Sequence, residues 1–143
     1  MSKALKSELV PVLKNAGFSG TFPRFRRKSG AVLHFLSVQY NTAATAFFLE
    51  FGSHPSGPVV TSWGELVPEE KLILEHIMFE SRARLQARTN GGSLVEDWFE
   101  FGDFGQDVDA YLKLAASVAA MLPQVETWLA TQHAGPNVSP NAF

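Results

Sequence analysis

The chain has no cysteine among its 143 residues. That one absence excludes thiol nucleophiles, disulfides and thiolate zinc sites together, and it fits a reducing compartment, so a cytoplasmic location is expected. Long apolar runs are also missing. None approaches the roughly eighteen residues of a membrane helix, and the lysine-bearing N-terminus lacks the apolar stretch of a signal peptide, so no membrane partner is expected. Charge is sparse, at 18% of residues with a net charge of −2. A general nucleic-acid binder is more often strongly basic, which makes nucleic acid an unexpected partner. No Gly-x-Ser-x-Gly elbow, phosphate-binding Gly-x-x-x-x-Gly-Lys loop or dinucleotide fingerprint occurs. The histidines His34, His54, His76 and His133 show no metal-ligand spacing, so neither metal nor cofactor is expected. His34, on an apolar stretch, reads as a hydrogen-bonded core residue, and His54 beside Pro55 as a solvated loop residue.

What is present is a strand-rich centre. Phe22–Lys28, Ala31–Tyr40 and Ala46–Phe51 read as three consecutive strands. Pro23 places the first of them at a sheet edge. Ser29-Gly30 reads as a tight hairpin connection. The second strand is apolar on both alternating sets, which predicts a central position covered on both faces. Ahead of them, Leu5, Leu9, Val12, Leu13 and Ala16 recur at helical spacing over Lys3–Ala16. Pro11 should kink that helix, and Gly17 suits its left-handed end.

Beyond the centre, Gly52–Gly64 is a Gly/Pro/Ser-rich crossing, and Pro68-Glu69-Glu70 opens a short helix. His76–Arg88 alternates closely enough to predict a half-exposed fourth strand. Asn90-Gly91-Gly92 then signals a hairpin, leading into a fifth strand over about Leu94–Phe101. Asp103 and Gln106 look like a capping pair for an alanine-rich helix over Phe104–Leu122, with a kink or restart at Pro123 and an end near Gln132. Residues 1–133 form one domain in this reading, and 134–143 a polar, flexible tail. The fold class is α+β, a five-stranded antiparallel sheet packed by an N-terminal helix and a long C-terminal helix.

Several of these residues carry a resemblance. Leu13-Lys14, Gly17-Phe18, Phe22 and Arg24, Phe35 to Gln39, Phe47 to Gly52, the Arg82-Ala83-Arg84-Leu85 strand and the Trp98 segment resemble the domain-of-unknown-function 4304 family. The resemblance implies an α+β domain and assigns no activity.

The chemically unusual feature is basic. Arg24, Arg26 and Lys28 project from one face of the first strand and Arg27 from the other. Arg82, Arg84 and Arg88 project from one face of the fourth. If the faces coincide, these cations line one side of the sheet, with Tyr40, His76 or Trp98 nearby and Trp63 at the border. Arginine forks suit carboxylates and phosphates, and arginine–aromatic surfaces suit protein hot spots. The bland alternative is cross-strand pairing with Glu50, Glu80, Glu96 or Glu100. The acids Glu96, Asp97, Glu100, Asp103, Asp107 and Asp109 read mostly as solvated or as helix N-terminal charges.

The expectation is a non-catalytic binding module, with Arg24, Arg26, His76, Arg82, Arg84 and Trp98 as binding residues. Its partner would be a protein or an anionic small ligand, and a homodimer through an edge strand is conceivable in this reading. Reversing Arg82 and Arg84 to Glu should then abolish capture without unfolding. The alternative is a small hydrolase or transferase, with Arg24, His76 and an acid from Glu96–Asp103 in a cleft. That alternative requires a carboxylate within hydrogen-bond reach of His76.

Overall fold

A computed structural model of the chain describes residues 1–88 and 97–141. The helices are α1 (Ser2–Glu8), α2 (Val10–Asn15), α3 (Val108–Ala120) and α4 (Leu122–Thr131). The strands are β1 (Ser19–Thr21), β2 (Arg24–Ser29), β3 (Val32–Tyr40), β4 (Ala46–Pro55), β5 (Val59–Val60), β6 (Leu66–Val67), β7 (Arg82–Leu85), β8 (Phe99–Glu100) and β9 (Val138–Pro140). Among the described residues, seven strands form one antiparallel sheet in the order β1-β2-β3-β4-β7-β9. β8 also pairs with β4, and β5-β6 is a separate hairpin. The α+β class holds, with more strands than the five expected.

The strand-rich centre forms as its alternation dictates. β3 lies between β2 and β4, with Leu36 and Val38 under the helices and Leu33 and Phe35 under the opposite layer. Pro11 opens α2 and Pro123 opens α4, so both prolines restart a helix where the missing N–H costs nothing. Gly17 takes the left-handed conformation at φ 93°, and buried Phe18 follows it.

Other expectations need correction. Pro23 lies in the turn between β1 and β2, after a cis peptide bond, so β2 is not an edge strand. The pairing of Ser29 with Val32 makes Gly30-Ala31 the hairpin loop, one residue later than expected. β4 runs on to Pro55. The predicted strand over His76–Arg88 exists only as β7. Before it come 3-10 turns at Leu74–His76 and Phe79–Ser81, because Ile77 serves a different core from Ala83 and Leu85. The Asn90-Gly91-Gly92 signal and Glu96 lie outside the described residues. β8 pairs with β4 beyond the end of β7, instead of returning along β7. The long helix begins at Val108, not Phe104, because Asp107 caps it by accepting from the Ala110 amide at 3.2 Å. Part of the expected tail is in the sheet. Val138 and Ser139 are buried and β9 pairs with β7.

The sheet is the middle of three layers. On one face the helices contribute Leu5, Leu9, Leu13, Val118, Val125 and Trp128 to a core with Phe25, Phe47, Leu49 and Phe51. Burying each such side chain stabilises the fold by about 1.5–3 kcal/mol. On the other face a strap with little regular structure, residues 66–78, places Val67, Leu72, Leu74 and Ile77 over Leu33 and Phe35 in a second, smaller core.

Candidate functional site

Strand register answers the question posed by the arginines. Arg24, Ser37, Glu50, Arg84 and Ser139 are successive partners across β2, β3, β4, β7 and β9. Arg26, Phe35, Gly52 and Arg82 form the neighbouring row. Side chains on directly paired residues share a face, so Arg24, Arg26, Arg82 and Arg84 all rise from the strap side of the sheet. Three ladder steps, about 14 Å at ~4.8 Å each, separate the two sets.

The shared face is not an open cationic surface. Arg26 Nη1 donates to the carbonyls of Glu69 (3.0 Å) and Leu72 (3.3 Å), and Arg82 Nε donates to the carbonyl of Ile77 (3.1 Å). The strap therefore crosses the sheet along the Arg26–Phe35–Gly52–Arg82 row, fastened by an arginine at each end. Gly52 admits the turn that follows the strap, since a Cβ there would stand 3.0 Å from the Ser81 carbonyl oxygen. Lys28 pairs with Glu69 at 3.4 Å and Arg24 with Glu75 at 3.1 Å, both exposed contacts. The Gly57 amide donates to Glu69 at 2.8 Å and is the main reason that carboxyl titrates below its usual range, with Lys28 adding to the effect.

Arg82 and Arg84 converge on Glu50, whose side chain is only 6% exposed. Arg82 Nη1 donates to it at 3.0 Å, and Arg84 Nε stands 3.7 Å away, too far for a hydrogen bond. The Asn141 amide side chain also reaches Glu50, at 3.4 Å. Arg84 lies 4.3 Å over the Phe48 ring, and Trp98 packs on that same ring at 4.6 Å between centroids. Here the cross-strand pairing with Glu50 is what the structure holds.

Arg27, on the opposite face, clamps the helices to the sheet. It donates to both Glu126 carboxylate oxygens (3.0 and 3.1 Å), to the Ala16 carbonyl (2.8 Å) and to His34 Nδ1, and it lies 4.3 Å over Phe18. His34 is accordingly a buried, bonded residue. Its pKa is lowered from 6.5, first by burial and then by the Arg27 charge.

An accessible feature on the strap side is a cleft of about 620 Å³ between the β5-β6 hairpin and the turns at 74–81. His54, Trp63, Glu75, His76, Met78 and Ser81 are among the residues that line it. Trp63 and Met78 are 71% and 70% exposed. The two histidines are held oppositely. His76 Nδ1 accepts from the Ile73 amide at 3.1 Å, so in the neutral ring the proton is on Nε2. His54 Nδ1 lies 2.7 Å from the Pro55 carbonyl, which can only accept, so its proton is on Nδ1 and Nε2 is left as an acceptor.

Of the sequence-derived residues, the structure brings Arg82, Arg84 and Trp98 together around Glu50 and Phe48. It sets Arg24 beside the cleft through Glu75, puts His76 in the cleft wall, and commits Arg26 to the strap. His54 corrects its expectation: it is the next-to-last residue of β4, half-buried, and lines the cleft. Met78 and Glu75 were not foreseen as cleft residues. The available signal was the run Val60, Trp63, Leu66 and Met78, large apolar residues left exposed around the crossing. Among the described residues no carboxylate pairs with His76 within 4.0 Å, and no group of three potential ligands could hold a metal ion. Of the acids from Asp97 onward, Asp97 pairs with Arg88 at 2.8 Å and Asp107 is the α3 cap.

No curated protein and no solved structure matches the chain. The model of the family described as Domain of unknown function (DUF4304) matches residues 9–129, which run from the residue before α2 through β2, β3, β4 and β7 into α4. Since that match spans most of the 143 residues, the chain belongs to the DUF4304 family.

Proposed function

We propose that this domain is a non-catalytic binding module whose partner enters through the cleft between the hairpin and the strap. The observation that carries the reading is a cavity of ligand size walled by an exposed tryptophan and an exposed methionine. Cavities of about 300–1,000 Å³ suit small ligands. Large exposed apolar side chains beside polar groups are the usual material of recognition sites. Arg24, 57% exposed in its side chain, is held at the rim by a surface ion pair with Glu75, its one side-chain partner among the described residues. Such pairs contribute roughly 0–1 kcal/mol, so Arg24 can exchange Glu75 for an anionic group of a protein or a small ligand. Arg26, Arg82 and Arg84 support the site from beneath by fixing the strap and β7. For a hydrolase or transferase reading the support is thinner: among the described residues no carboxylate pairs with His76 within 4.0 Å, and its Nδ1 accepts from the Ile73 amide.

A protein-observed NMR screen of a library with anionic, cationic and uncharged fragments tests this against the whole chain. Binders should shift the Trp63 indole and His76 ring signals, and Trp63→Ala should weaken them about tenfold or more. Trp63 is exposed, so the substitution leaves the fold intact. Hits that map elsewhere, or that bind Trp63→Ala unchanged, overturn the proposal.

A further inference from the structure

The cleft has a chemistry more specific than its size. Backbone partners fix both histidine tautomers, because an amide N–H can only donate and a carbonyl can only accept. In their neutral forms His76 offers an Nε2–H donor and His54 an Nε2 acceptor, and among the described residues neither Nε2 has a partner. A flat surface accompanies them. The Trp63 indole N–H donates to the Glu65 carboxylate at 3.1 Å, which anchors the ring edge and leaves its faces exposed. Charge is balanced, since the lining carboxylate Glu75 already faces Arg24 at 3.1 Å. His76, His54 and Trp63 thus present one donor, one acceptor and one aromatic face, and the Glu75 charge beside them is compensated.

We propose that the cleft seats a planar, uncharged ring bearing both an N–H donor and a carbonyl or ring-nitrogen acceptor, the chemistry of a nucleobase or an aromatic carboxamide. The proposal rests on the reading of the cleft as the binding site. The ring stacks on Trp63, its N–H meets His54 Nε2, and its acceptor receives the His76 Nε2–H. Stacking a base on an aromatic side chain typically changes affinity about tenfold or more. An anionic substituent, where the ligand carries one, falls to Arg24.

Adenosine and nicotinamide are the probes. Benzoate, benzylamine and the non-planar cyclohexanecarboxamide are the comparisons, all titrated into the whole chain while the ligand signals and the Trp63 indole and His76 ring signals are followed. Adenosine or nicotinamide should bind saturably and at least about fivefold more tightly than any comparison. Trp63→Ala should cost about tenfold or more. His76→Asn keeps an acceptor for the Ile73 amide but removes the ring donor, and should cost about fivefold, as should His54→Phe. Long-range 1H–15N spectra of the free protein should show His54 protonated on Nδ1 and His76 on Nε2. Finding the same tautomer in both, or unchanged affinity in both histidine variants, overturns the proposal. If a comparison compound binds the cleft best, the ligand class is wrong while the binding-module reading stands. If no compound perturbs Trp63, both readings fall.

Discussion

Glu50 shows how one buried carboxylate decides the fate of two arginines. Its side chain is 6% exposed, and those of Arg82 and Arg84 are 15% exposed. Removing one member of a buried charge group leaves the others desolvated and unpaired, at a cost of about 3–5 kcal/mol. Glu50→Ala should therefore lower unfolding free energy by about 3 kcal/mol in urea titrations, and a loss under about 1 kcal/mol would contradict this account. For the same reason, reversing Arg82 and Arg84 to Glu cannot test binding, because it would set three carboxylates together and threaten the fold itself. His34 gives the second residue-scale expectation. Its folded pKa lies below 6.5, so the unfolded chain takes up the proton first. The stabilisation is complete above about pH 6.5 and is lost as pH falls from there through the folded pKa. Urea midpoints of the wild type should fall over that window, and those of His34→Asn, which keeps an acceptor for Arg27, should stay flatter.

Among the elements, the strap is the least regular and the most revealing. It has one two-residue strand and isolated 3-10 turns, so most of its backbone groups find partners outside regular structure. Arg26 supplies two of those partnerships, to Glu69 and Leu72. Arg26→Met keeps an apolar side chain beside Phe35 but removes the Arg26 donor from the Leu72 carbonyl and leaves the Glu69 carbonyl with the Leu72 amide alone of its two donors. It should cost about 1–3 kcal/mol by urea titration and raise amide exchange across residues 69–77; unchanged exchange there would show that the strap is held by its apolar contacts alone. Elements also mark the limit of what the sequence makes legible. β3, β4 and the two proline-restarted helices follow from period and turn chemistry. The strap does not, because Ile77 and Ala83 lie in one alternating register yet pack into cores on opposite faces of the sheet. The faces of Arg24, Arg26, Arg82 and Arg84 are legible from alternation. Their partners are not, apart from Glu50, because hydrogen bonds to carbonyls 43 and 46 residues away leave no local trace. The cleft escaped for a similar reason: His54 and His76 lie far apart in the sequence and line one cavity only in the folded chain.

At the scale of the molecule, the sheet separates two apolar clusters of unequal size. The larger lies with the helices and the smaller with the strap and Val59 of the hairpin. The two outer layers thus reach each other chiefly through β-strands whose opposite faces they use. The sheet edges are short, with β1 and β9 three residues each, which leaves little backbone for edge-to-edge assembly. Conserving both layers asks β3 to be apolar on both faces, and that requirement is what made it the clearest central strand in the sequence.

This layering bears on how occupancy of the cleft is detected. A ligand held between hairpin and strap reinforces the smaller cluster, which can open while the helix layer stays closed. Its binding energy then acts first on that local opening and adds to the global transition only to the extent that the two are coupled. Melting temperature is accordingly a blunt reporter for this domain, and a true ligand can leave it nearly still. Slowed amide exchange at Thr61, Gly64 and Ile77, whose N–H groups bond within the cleft walls, is where occupancy would register.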